Sequence, residues 1–215
     1  MSLKEKIGEM VNEVFGESEE EKAERLRRVA QCTKGDKIAL KADWTPFNAG
    51  GRRFKTLELK EMEENIIVMK GSIMLYFIII AAIVTVTIFI SFQVMENMGI
   101  YFVPLSVAAG GFLGFYGVKL VKPKYFDKNT EKYYIGDGEK RVVVAEFAEI
   151  HALQIIKKLC GSRNNKYYSY ELNIIFKNSK RNNITDHSNY KSIRRDGEEI
   201  AKFIGVKLWE LSENR

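Results

Sequence analysis

The chain has 215 residues, with 34 Lys and Arg against 28 Asp and Glu, two His, two Cys and three Pro, and a net charge of +6. That length allows one or two modest domains, or membrane helices plus one domain. The basic excess comes without a basic stripe or a recognisable nucleic-acid motif, which argues against a duplex reader, and Cys32 and Cys160 read as free thiols.

Leu3, Ile7, Met10, Val11 and Val14 recur at helical spacing and predict a short amphipathic helix. After Gly16, "ESEEEKAERLRRVAQ" predicts a second helix with acidic residues first and basic residues later, the order that suits the helix dipole. Its apolar residues, chiefly Ala23, Leu26, Val29 and Ala30, are too few for an independent core, so it must pack against something else. Next comes "DWTPFNAGGRRFKT", in which Pro46 restrains the backbone, Gly50 and Gly51 permit a turn, and Trp44, Phe47 and Phe54 supply apolar anchors. It reads either as an ordered turn or as an interfacial binding segment with Arg52 and Arg53 facing phosphates. It lacks the Lys-Ser or Lys-Thr end of a P-loop. The stretches "FKTLELKE" and "NIIVMK" predict short strands that join a sheet with strands from the C-terminal part.

From Gly71 to Val121 the only charged residues are Glu96 and Lys119. An uncharged run of 18 or more residues points to lipid, so residues 71–92 and 98–120 are expected to form a two-helix transmembrane hairpin. Lys and Arg flank both runs and are missing from the loop "QVMENMG" between them, which places both termini in the cytoplasm of a multi-pass inner-membrane protein. Gly110, Gly114 and Gly117 in the second run offer a small-residue face for helix packing.

The remainder, residues 122–215, carries the net positive charge, close to an anionic leaflet in this reading. "PKYFDKNTEKYYIGDGEKRVVVAEFAEI" predicts three strands separated by turns at "DKNTE" and "GDGEK". "HALQIIKKL" fits a bulged strand or a short helix. Tyr170, Leu172 and Ile174 alternate along one face of a clearer strand, which turns at Asn178 and Ser179 toward a neighbour carrying Ile184. A helix is expected from about Arg194 to Ile204, with Gly205 as its stop.

Antiparallel strands followed by a covering C-terminal helix, together with "DWTPFNAGGRRFKT" and "YYSYELNIIF", resemble uncharacterised bacterial inner-membrane proteins with a cytosolic pleckstrin-homology-like or GRAM-like domain. The resemblance covers about Tyr125 to Leu211 and carries no catalytic motif. It implies an α+β membrane protein with three parts: N-terminal helices, linker and strands in 1–70, two spans in 71–121, and the PH-like domain in 122–215. It also implies a lipid, peptide or assembly module.

The expected function is a membrane-tethered, noncovalent binding or scaffold module at the cytoplasmic face, with no catalytic residues, cofactor or metal. Membrane lipids, a protein partner or a second copy are the expected partners. Binding is expected at Trp44, Phe47, Arg52, Arg53, Lys166, Tyr168, Tyr170, Arg194 and Arg195. The alternative is a regulatory subunit or small oligomeric pore drawing on Thr85, Thr87, Ser91 and the glycines of the second run. A hydrolase or metal site built from His151, His187, Cys160, Asp186 or Glu149 is a third reading, unsupported by any short ligand spacing.

Overall fold

The computed structural model describes residues 19–47, 50–72, 77–86, 88–89 and 122–211. Helix α1 (Glu19–Thr33) begins with three glutamates at the positive end of its dipole and ends where Gly35 adopts φ +73° and donates its N–H to Ala30 O. Asp36 then caps α2 (Lys37–Lys41) by accepting the N–H groups of Ile38 and Ala39.

Strands β1 (Leu57–Glu63) and β2 (Ile66–Gly71) form a hairpin, and β2 pairs directly with β3 (Lys124–Asp127). The chain therefore leaves this sheet at Ser72 and re-enters it beside the strand it left. β4 (Lys132–Ile135) and β5 (Val142–Glu146) complete a five-stranded antiparallel sheet in the order β1-β2-β3-β4-β5. The second sheet contains β6 (Ile150–Cys160), β7 (Tyr167–Phe176) and β8 (Arg181–His187), followed by helix α3 (Tyr190–Ile204) and β9 (Lys207–Glu210). Its order is β8-β7-β6-β9, with β9 parallel to β6.

Side chains along a strand alternate between faces, and the second sheet is covered on both. Leu153, Ile155, Leu172, Ile174 and Ile184 face inward, where they meet Leu57, Met69, Phe126 and Tyr133 of the first sheet and Ile193 and Ile200 of α3. Ala152, Ile175 and Trp209 face the other way, onto Val29, Ala39, Ala42 and Trp44. Burial on both faces explains the ambiguity of "HALQIIKKL". It is strand β6, with a bulge between Ile150 and Ala152.

The expected C-terminal helix is present and stops at Gly205 with φ +75°. It is not the closing element, because β9 follows it and extends the sheet in parallel. The α+β membrane architecture requires a larger correction. No helix among the described residues is long and apolar enough to cross a membrane. The expected multi-pass inner-membrane placement, with both termini cytoplasmic, therefore has no helix among the described residues to rest on. What is observed is a mixed α/β fold, with no closed barrel among the described residues. The second run, with Gly110, Gly114 and Gly117, lies outside the described residues, as does the helix expected around Leu3–Val14.

Gly197 lets α3 approach the sheet closely: a Cβ there would stand 3.1 Å from Leu172 Cδ1 and 3.3 Å from Leu208 Cδ1. Gly197→Val is expected to lower stability by about 1–3 kcal/mol through overpacking, read as a lower urea midpoint with an unchanged slope.

Candidate functional site

The outer face of the second sheet carries a buried polar row. Lys158, whose side chain is 2% exposed, donates to Glu171 Oε1 at 2.6 Å, to Asp186 Oδ2 at 3.3 Å and to the carbonyl of Gly50 at 2.5 Å. Burial alone would lower the pKa of this lysine. The two carboxylates outweigh that and hold it above the usual value. Glu171 Oε2 accepts the N–H of Phe47 at 2.9 Å, Gln154 donates to the carbonyl of Asp43, and Arg181 donates to the carbonyl of Thr45 and the carboxylate of Asp43. The segment from Asp43 to Arg53 is thus a strap, fastened largely through its backbone to side chains of β6, β7 and β8. Gly51 sits where any Cβ would collide with Ser169 and Cys160, at 2.5 Å and 2.6 Å, and its carbonyl accepts from the Tyr167 hydroxyl at 2.6 Å.

The expected binding residues divide among separate places. Trp44 is buried: its indole donates to Ala39 O at 2.8 Å and its ring stacks on Trp209. Phe47 lies half exposed beneath the Arg181 guanidinium. Arg52 reaches Thr56 at 2.7 Å and Asp186 at 3.6 Å, while Arg53 covers the Tyr167 ring and donates to Asn165 O. On the strap, then, the arginines are engaged with protein groups. Lys166 is exposed, and Tyr168 is exposed with the Lys157 ammonium 3.9 Å from its ring. Arg195 pairs with Asp196 at 2.9 Å and Glu199 at 3.8 Å.

Three of these residues do converge. The ladder between β6 and β9 ends at Ile155 and Glu210, whereas β6 continues to Cys160. Beyond that end lies a cavity of about 670 Å³, lined by Arg28, Trp44, Ile155, Ile156, Lys157, Tyr170, Tyr190, Arg194, Glu210 and Leu211. Tyr170 packs on Tyr190 with ring centroids 5.1 Å apart. The Tyr190 hydroxyl accepts from Arg194 at 3.3 Å. Burial, and then its hydrogen bond to Glu210, raise its pKa against the opposing pull of Arg194. Sequence reasoning missed Arg28, Lys157, Tyr190 and Glu210, which lie on four different elements. It also missed the Lys158–Glu171 pair, although charged residues inside the apolar runs "IIKKLC" and "YELNIIF" were a signal of a buried pair.

The third reading does not assemble around His151 and Cys160. His151 and Cys160 occupy opposite ends of β6, roughly 30 Å apart at strand rise. His151 instead bonds Asp36 at 2.9 Å. Burial would raise the Asp36 pKa, but the bonds from His151 and from the N–H groups of Ala39 and Ile38 hold it below the ordinary range. Asp186 turns outward to Lys158. His187 is buried and accepts the N–H of Asn189 at Nδ1, which leaves the proton on Nε2 without a hydrogen-bond partner among the described residues. No three His, Cys, Asp or Glu among the described residues are grouped to hold a metal ion. No protein-family model matches the chain, and no curated protein matches it in sequence.

Two outcomes test this electrostatic reading. Lys158→Met strands Glu171 in the interior and is expected to cost about 3–5 kcal/mol, most of it recovered in Lys158→Met/Glu171→Gln, as measured by chemical denaturation. Burial, reinforced by the Lys55 charge, lowers the pKa of His187 to about 4, against the pull of Asp196 and Asp186. As pH falls below about 6.5 the unfolded chain therefore takes up a proton that the folded chain refuses until about pH 4. Across that window roughly 3 kcal/mol of stability is lost. His187→Gln should flatten this limb of the stability–pH curve.

Proposed function

We propose that the chain is a noncovalent binding module for an anionic ligand with an aromatic or apolar body, taken up in the cavity at the end of β9. One observation carries the reading: Arg28, Lys157, Arg194 and Glu210 line one cavity with Trp44, Tyr170 and Tyr190, and Arg194, itself paired with Glu198 at 2.9 Å, also reaches the Tyr190 hydroxyl. The volume and mixed lining suit a small molecule or the end of a larger one. Aromatic faces take the body, and the cations attract the charge.

The membrane-tethered form of this function is withdrawn, since no described helix can serve as the anchor. The pore reading loses its support as well. Thr85 hydrogen-bonds the carbonyl of Ala81 in its own helix at 2.8 Å, while the side chains of Thr87 and Ser91 lie outside the described residues.

Titration calorimetry of the full chain with phenyl phosphate, inorganic phosphate and phenol tests the proposal. Phenyl phosphate should bind more tightly than either fragment. Arg194→Ala should weaken it about tenfold, the loss expected for one charge-assisted contact of about 1.4 kcal/mol, and added salt should weaken it further. Equal affinity for phenol and phenyl phosphate, or an Arg194→Ala variant indistinguishable from the parent, would sink the reading.

A further inference from the structure

We propose that the outer edge of β5 is a self-association surface, on which a second copy of this chain adds its own β5 antiparallel to the first. This inference is independent of the cavity, which lies on the other sheet.

The four sheet edges are treated differently. β1 is bulged between Glu61 and Glu63 and carries Glu58, Lys60, Glu61 and Glu63, charges that discourage added strands. At β8 the Lys124 ammonium donates to the carbonyls of Asn183 and Ile184. β9 is only four residues long. β5 ends its sheet with Val142 and Val143, 65% and 48% exposed, and its outer side has no ladder partner among the described residues. It is guarded by the extra residue Val144, which faces no single partner on β4 and leaves both valines uncovered, and at its end by the Glu149 carboxylate, which accepts the N–H of Glu146 at 2.9 Å.

The choice of a second copy as occupant follows from the charges. The stretch from Arg141 to Glu146 reads Arg-Val-Val-Val-Ala-Glu, with Arg141 already extended at φ −66° and ψ 130°. Antiparallel pairing about a twofold axis between residues 143 and 144 sets Arg141 opposite Glu146 of the partner subunit, twice, with apolar residues between. Both charges are exposed: the Arg141 guanidinium rests on the Tyr125 ring at 4.0 Å, and Glu146, which shares a capping box with Glu149, pairs loosely with Lys132 at 3.9 Å. The strand is therefore complementary to itself in one register, as an isologous dimer requires.

Sedimentation equilibrium of the full chain over a micromolar-to-millimolar range tests this with two variants, each also checked for its unfolding midpoint. Arg141→Glu places like charges opposite each other at both ends, and Glu146→Arg does the same with the opposite sign. The parent should dimerise with rising concentration. Each variant alone should dimerise at least tenfold more weakly, and an equimolar mixture of the two should recover the parent's affinity, since every Glu then faces an Arg. A parent that stays monomeric, variants that dimerise like the parent, or a mixture no tighter than its components would each overturn the proposal.

Discussion

The buried ammonium of Lys158 is the point from which the outer half of the molecule is organised. A charge with almost no access to water must be matched, and here Glu171, Asp186 and the carbonyl of Gly50 match it. The first two partners tie β6, β7 and β8 together. The third reaches out of the sheet to the strap. Glu171 then spends its second oxygen on the N–H of Phe47, so the same network that neutralises the lysine also fixes where the strap lies.

The strap in turn shapes the cavity. Trp44, at its root, is held by Ala39 and Trp209, and its ring forms one wall of the space beyond β9. The opposite wall comes from the first turns of α3, whose start is set by Asn189 accepting the N–H of Ser192 and whose close approach to the sheet depends on Gly197. The N-terminal helices have little apolar surface of their own and gain an ordered place by covering the outer face of the sheet. They bring Arg28 to the same rim. The cavity is thus formed where α1, the strap, β6, β7 and α3 meet at the end of a short parallel strand.

Several elements were legible before any tertiary contact was known. Tyr170, Leu172 and Ile174 alternate as a strand must, and Asn178 with Ser179 at φ +65° makes the turn that their residue types announce. β6 was not legible, because a strand covered on both faces loses its alternation and reads like a buried helix. The uncharged run from residue 71 misled for a related reason. Composition reports a preference for leaving water but not the length of continuous helix that carries it, and the described helix falls short of a span. Of the site, Trp44, Tyr170 and Arg194 were named in advance from residue type alone, while the arginines named with them on the strap turned out to be bound to protein groups.

The sequence by itself determined where the backbone turns and stops: Gly205 as the end of α3, Asn178 and Ser179 as a turn, and the acidic start of α1. These depend on dihedral freedom and on groups a few residues apart, which a linear string records directly. Only the tertiary structure decided that β2 pairs with β3 across residues 72–123, that Lys158 meets Gly50, and that Arg28 and Arg194 face one cavity. Those contacts join positions far apart in the chain, and their energies depend on burial and mutual distance, quantities that exist only once the chain has closed on itself.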